Sequence, residues 1–187
     1  MKGYSLFDGK HFKVEGWGGA GDSLADEMHF TYQSIKGNGA ITVRINPQPS
    51  SQFSRIGLEI RKGLVDNCPA VSLQLYPGNT GQIEAPNWHV RLLNRKENSE
   101  KAALDYAGFG LDSSAVTFGR LTGYYWLRLQ RKGELISGYT SYDGKQWTGA
   151  GSVSLSLGKN ALIGFSVASG MRNSTTVVFD HTAVKKE

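Results

Sequence analysis

The sequence predicts an all-β domain folded as a two-sheet antiparallel sandwich. Three observations carry this. Apolar residues alternate with polar ones in short runs, which is the two-residue period of a half-buried strand. Amphipathic runs of helical period are almost absent. The chain also has 24 glycines and 11% aromatic residues among its 187 residues, a composition suited to many short strands joined by tight turns.

The elements follow from the pattern. Strands are expected near residues 11–15, 27–34, 39–46, 54–62, 70–76, 88–94, 124–131, 134–142, 146–148, 152–155, 161–169 and 175–184. Turn signals separate them: Gly37-Asn38-Gly39, Asn46-Pro47, Pro77-Gly78-Asn79, Lys132-Gly133, Asp143-Gly144 and Gly158-Lys159-Asn160. One short helical turn fits Ser23 to Asp26, and nothing longer is amphipathic. The polar, Gly-rich piece from Arg95 to Thr122 reads as an extended loop with one short strand near 104–106.

Composition narrows the function classes. The length suits a single domain spanning 1–187, with 39% hydrophobic and 20% charged residues as in a globular protein. The net charge is +5 and the pI about 9.3, but Lys and Arg are dispersed among acids and no nucleic-acid motif is present. Binding to nucleic acid is therefore not expected. Cys68 has no second cysteine to pair with, and is expected as a small buried hydrophobe. No apolar run approaches the ~20 residues of a membrane span. The opening MKGYSLFDGK lacks the apolar segment of a signal peptide, which suits either a cytoplasmic protein or a module of a larger secreted chain.

Alternation also sorts side chains by face. In SRIGLEIR, Ile56, Leu58 and Ile60 oppose Arg55, Gly57, Glu59 and Arg61. In AVSLQLY, Val71, Leu73 and Leu75 oppose Ser72, Gln74 and Tyr76. In YYWLRLQR, Tyr125, Leu127 and Leu129 oppose Trp126, Arg128 and Gln130; in WHVRLLN, Trp88, Val90 and Leu92 oppose His89, Arg91 and Leu93. If these strands are neighbours, Glu59, Arg61, Gln74, Arg91, Trp126 and Arg128 form one surface, with Trp17 and Trp88 in loops or at its rim. Such a surface suits a sugar: carboxylates and guanidinium forks bind hydroxyl pairs, and aromatic rings stack on C–H faces. The same pattern also fits a solvated face laced with cross-strand ion pairs.

Several segments carry a family resemblance. WGGAGDSLADEMHFTYQSIKGNGAITVRI resembles the opening of concanavalin A-like (LamG-like) jelly-roll domains of the kind appended to bacterial secreted glycoside hydrolases. IGLEIRKGL is similar to that family's strand ending in Ile-Arg. YYWLRLQRKGELISGYTSYDGKQW resembles its hairpin and Ser-x-Asp-Gly-x-x-Trp turn, and LIGFSVASGMRNSTTVVFDHTAV its closing strands. The match covers roughly residues 14–184. It implies a jelly roll with a concave face, acting as a carbohydrate-binding or accessory module, an extracellular setting, and a catalytic domain as partner in the same polypeptide. It also implies a structural calcium ion in some relatives, for which Asp180, with Asp8 or Asp22, would supply oxygen ligands.

An enzymatic alternative stays open. A glycosidase needs two carboxyls, roughly 5–5.5 Å apart for retention and 6.5–9.5 Å for inversion. Glu59 is the only acid on a well-defined strand face, and the histidines at 11, 29, 89 and 181 lack metal-ligand spacing. No catalytic residue is therefore assigned. A jelly-roll polysaccharide lyase would use Arg, Gln, His and Tyr on a concave face, types that Arg61, Gln74, His89 and Tyr76 provide.

Overall fold

Alternation of large apolar residues with polar ones forces each strand to bury one side, and two sheets packed face to face satisfy all of them. A computed structural model describes residues 3–18, 26–46, 53–77, 87–96, 117–120 and 124–187. The strands are β1 (Tyr4–Phe7), β2 (Phe12–Gly16), β3 (His29–Lys36), β4 (Gly39–Asn46), β5 (Arg55–Arg61), β6 (Ala70–Pro77), β7 (Asn87–Arg95), β8 (Thr117–Arg120), β9 (Tyr125–Lys132), β10 (Leu135–Ser141), β11 (Thr148–Ser154), β12 (Asn160–Ala168) and β13 (Thr175–Lys186). They form a seven-stranded sheet, β1-β2-β13-β4-β9-β10-β11, and a six-stranded sheet, β3-β12-β5-β6-β7-β8. Neighbours pair antiparallel throughout.

The core is the set of inward positions. Val43, Ile45, Leu127, Leu129, Ile136 and Phe179 from the larger sheet meet Ile56, Leu58, Ile60, Leu73, Leu75, Ile163 and Val167 from the smaller one, all fully buried. Phe165 of β12 stacks on Phe179 of β13 across the two sheets, with ring centroids 4.4 Å apart. The chain's last two strands sit inside the sheets, β12 between β3 and β5, and β13 between β2 and β4.

The all-β sandwich expected from the sequence is what forms. Two strands were not foreseen. β1 is a short edge strand held to β2, and β8 pairs with β7 inside the segment read as a loop. The two short strands expected at 146–148 and 152–155 are one, β11, with an irregularity opposite Gly138/Tyr139. The strand expected near 104–106 and most of the turn expected at Ser23 to Asp26 lie outside the described residues. Cys68 is buried; its thiol donates to the Gly63 carbonyl at 3.2 Å and lies 3.4 Å from Arg61 Nε.

Candidate functional site

The outer face of the six-stranded sheet is stocked with ionisable residues. Register sets its rows: Phe30, Ser166, Gly57, Gln74 and Arg91 across β3-β12-β5-β6-β7, and beside it Tyr32, Gly164, Glu59, Ser72 and Leu93. Leu162, Arg61, Ala70 and Arg95 make the next row. Glu59, Arg61, Gln74 and Arg91 thus do share one face, as the alternation required. That face is not open: Glu59 is 1%, Arg61 3% and Gln74 2% exposed.

Arg61 is the hub of a buried charge cluster. Its guanidinium lies 3.1 Å from Glu59 Oε1 and 3.3 Å from Asp26 Oδ2, and donates to the carbonyls of Gly63 and Val65 at 2.8 Å each. Arg95 grips Asp26 with a fork, Nη1 to Oδ2 at 2.9 Å and Nη2 to Oδ1 at 2.7 Å. Two guanidinium groups therefore serve two carboxylates out of water, an arrangement whose attraction must offset several kcal/mol of desolvation per ion. Glu59 is the weak member. Its Oε1 lies at ion-pair distance from Arg61 but without hydrogen-bond alignment. Burial, reinforced by the Asp26 charge and opposed by Arg61, pushes its carboxyl up to about 7.

At one margin of the cluster a half-buried tyrosine sits among cations. The Tyr76 ring stacks on His89 with centroids 5.4 Å apart, and the Arg91 and Arg55 guanidinium carbons lie 4.8 and 5.4 Å from its centroid. Gln74 Oε1 accepts from Arg91 Nη2 at 3.1 Å, so the buried amide orients the guanidinium. Burial lowers the His89 pKa, which keeps the ring neutral near pH 7.

At the same end of the sandwich, where β2, β3 and β12 terminate, a cleft of about 980 Å3 opens. Trp17, Met28 and Met171 supply its apolar wall, and Asp26, Glu27, His29 and Arg172 its polar one. Gly170 N–H donates to the Gly18 carbonyl at 2.6 Å, closing the loops beside it. Asp26 belongs to both places: it lines the cleft and anchors Arg95 and Arg61.

The single merged surface expected from the sequence does not form. β9 lies in the seven-stranded sheet between β4 and β10, so Trp126 and Arg128 face outward on the opposite side of the sandwich from Glu59, Arg61, Gln74 and Arg91. Alternation fixes which side of its own strand a residue occupies; it carries no information on which sheet the strand joins. There Trp126 packs on the turn after β10 and edge-on to His181 at 5.3 Å, and the Arg128 guanidinium lies 4.0 Å from the Trp147 ring centroid. The turn is held by Asp143, whose carboxylate accepts from the backbone N–H groups of Lys145 and Gln146 at 2.8 Å each. Gly144 has φ +72°, and a Cβ on it would lie 2.7 Å from the Trp126 ring. Gly144→Ala is accordingly expected to cost about 1–3 kcal/mol, read as a lower urea midpoint at unchanged slope.

Trp17 reaches the cleft. Trp88 lies in β7, its backbone paired with Pro77 and Phe118; its side chain falls outside the described residues. Of the calcium ligands implied by the resemblance, the two that are described, Asp180 and Asp8, are engaged within the chain. Asp180 already holds Arg44 by both oxygens, at 2.7 and 2.6 Å. Burial raises its pKa, but Arg44 and His181 outweigh that and leave it lowered. Asp8 accepts from the backbone N–H groups of Lys10 and His11 within its own turn. Asp22 lies outside the described residues, among which no group of three or more His, Cys, Asp or Glu is placed to hold a metal.

Asp26 and Arg95 escaped the sequence reading. Arg95 continues the His89, Arg91, Leu93 alternation by one step, so extending that strand by a residue would have found it. Asp26 is a non-local partner with no pattern of its own.

No family model and no curated protein matches the chain. Solved structures do. A functionally unknown protein from Saccharomyces cerevisiae is similar at 15% identity and TM-score 0.70, covering 98% of this chain and 92% of that one. A xylan β-1,4-xylosidase from Bacillus halodurans C-125 is similar at 14% identity and TM-score 0.66, covering 98% of this chain and 34% of that one. An alginate lyase from Klebsiella pneumoniae is similar at 9% identity and TM-score 0.55, covering 97% of this chain and 83% of that one. At these identities the likeness is one of fold, a β-sandwich shared with glycoside hydrolase proteins. The chain spans about a third of the length of the xylosidase. Among the described residues no helix is long and apolar enough to cross a membrane.

Proposed function

We propose that this chain is a carbohydrate-binding accessory β-sandwich, related to the LamG-like modules, that holds a glycan on the outer face of its six-stranded sheet. The observation that carries the reading is the Tyr76 cradle. A half-buried aromatic ring with a neutral imidazole and two guanidinium groups packed around it gathers aromatic and cationic surface at one spot, the residue types that pack on sugar C–H faces and bind hydroxyls. Glu59, Arg61 and Gln74 then act beneath the surface, by stiffening the sheet and orienting Arg91, rather than as direct contacts. The fold likeness to about a third of a xylosidase chain supports an accessory role beside a catalytic domain.

The test is binding by isothermal calorimetry to a panel of xylan, arabinan, xylo- and cello-oligosaccharides, pectate and alginate. Wild type is expected to bind one class, and Tyr76→Ala to weaken that binding about tenfold, the scale of one aromatic stacking contact with its cation partner. If wild type binds nothing in the panel, the domain is a structural support and the proposal falls.

A second reading, a polysaccharide-active enzyme, is favoured by one observation: Tyr76, His89 and Arg91, residue types that move a proton and neutralise a uronate, meet on β6 and β7. It predicts new ultraviolet absorbance from unsaturated uronate, or released reducing sugar, that disappears in Tyr76→Phe. Retention of turnover by Tyr76→Phe would remove Tyr76 from any catalytic role.

A further inference from the structure

The outer faces of the two sheets are built differently. On the six-stranded sheet Glu59, Arg61 and Gln74 are packed away from water. On the seven-stranded sheet the polar side chains stand higher. Register there places Ala183, Thr42, Arg128, Tyr139 and Gly149 in one row across β13-β4-β9-β10-β11. Ala183 and Gly149 are exposed, and Thr42, Arg128 and Tyr139 are half-buried. No segment therefore closes over this row.

Arg128 is the cation of that row, and no acid holds it. Arg44, in the adjoining row, gives Nε and Nη2 to Asp180. The Arg128 guanidinium lies instead against the Trp147 ring and donates through Nε to Thr42 Oγ1 at 3.1 Å. Among the described residues no acceptor takes its Nη1 or Nη2. The acids of this face are otherwise engaged: Asp143 with the backbone of its own turn, and Glu187 3.5 Å from Gln130 Nε2. An indole and a threonine hydroxyl thus fix the plane of a guanidinium whose terminal pair stays available. Such a fork matches an oxyanion through two parallel hydrogen bonds, and its fixed plane reduces the ordering cost of binding.

A second group borders the same indole platform. Trp126 precedes Arg128 by two residues on this face, and His181 of β13 meets the Trp126 ring from the other side. His181 sits where β13 bulges, with φ +47°, an uncommon conformation for a residue other than glycine. Bulges re-aim side chains, and strained backbone gathers at binding sites. Its Nδ1 lies 3.1 Å from Asp180 Oδ1, and its half-exposed ring leaves Nε2 for a further partner. An oxyanion fork and an imidazole around one indole suit a ligand carrying both a carboxylate and hydroxyls, and the net charge of +5 favours approach of an acidic polymer.

We infer that the outer face of the seven-stranded sheet binds an acidic glycan, with a uronate carboxylate on the Arg128 fork and neighbouring hydroxyls toward His181. It shares only its ligand class with the reading above, since Tyr76 lies on the opposite sheet.

The experiment titrates short pectate and alginate oligomers into the full chain by calorimetry, beside the same oligomers methyl-esterified at their carboxyls. Wild type is expected to bind one of the acid forms, and its ester about tenfold or more weakly. Arg128→Ala is expected to weaken binding of the acid form about tenfold or more, and Arg128→Lys to recover only part, since an ammonium lacks the fork. Tyr76→Ala is expected to leave this binding unchanged. Equal binding of acid and ester, or Arg128→Ala binding like wild type, overturns the inference. Inorganic phosphate that binds as tightly as the oligomer also overturns it, by showing a site for a free oxyanion. Absence of binding to both acid oligomers overturns it too, while neutral oligosaccharide binding that is lost in Tyr76→Ala would leave the six-stranded face standing. Circular dichroism of each variant separates lost binding from lost folding, and Arg128→Lys keeps the charge and the stem if Arg128→Ala fails to fold.

Discussion

Arg61→Ala is expected to be the most damaging single change outside the apolar core, at about 3–5 kcal/mol. The cause is what stays behind. Without the guanidinium, the buried carboxyl of Glu59 loses its nearest cation, Asp26 keeps only Arg95, and the carbonyls of Gly63 and Val65 lose a donor. For a domain of this size, that loss corresponds to a drop of roughly 6–20 °C in melting temperature. Arg61→Lys is expected to recover only part of it, because one ammonium cannot span two carboxylates and two carbonyls with a fixed fork. Thermal melts of the three proteins at neutral pH check this; a shift below about 2 °C for Arg61→Ala would mean the cluster contributes nothing net.

The same cluster makes stability depend on pH in an unusual direction. Glu59 is raised from 4.5 to about 7 in the folded protein. Between those values the folded state binds the proton that the unfolded state has released, so stability falls as pH rises through the window. The full swing is about 3 kcal/mol from pH 4 to pH 8. Asp8, Asp143 and Asp180 have the opposite sign, their pKa values being lowered. Their contributions disappear only as pH falls through and below the ordinary carboxylate range. Urea midpoints for wild type and Glu59→Gln, measured at pH 5 and pH 8, isolate the effect. The variant is expected to gain on wild type as pH rises, by up to about 3 kcal/mol. Parallel pH profiles for the two proteins would rule out a raised Glu59.

Sequence periodicity carried the architecture because a two-sheet sandwich repeats one rule, apolar inward and polar outward, along every strand. Glu59, Arg61, Gln74 and Arg91 were placed on one face correctly for that reason. Trp126 and Arg128 were joined to them incorrectly, since the assignment of a strand to a sheet is a topological fact. β9 enters the larger sheet through pairing with β4, some eighty residues earlier in the chain, and nothing local to YYWLRLQR encodes that. Openness was equally hidden. A polar strand face reads the same whether it meets water or a covering segment, and Asp26 reaching over Arg61 and Arg95 is what distinguishes the two here. Tyr76 and His89 stood in the pattern as residue types; their stacking came from β6-β7 register.

The positions of β12 and β13 bear on how the protein is made. On a ribosome the chain emerges from its beginning, and β2, β3, β4 and β5 appear well before the strands that separate them. Until β12 and β13 have emerged, β2 and β4 lack the shared neighbour that joins them, and so do β3 and β5. Their ladder groups and apolar sides stay unpaired meanwhile, which is the condition that favours illicit strand pairing in nascent chains. Closure of both sheets then waits on contacts of long sequence separation, so folding is expected to be slow. A stop codon before β12 would leave two incomplete half-sheets, a substrate for chaperones and proteases rather than a smaller domain.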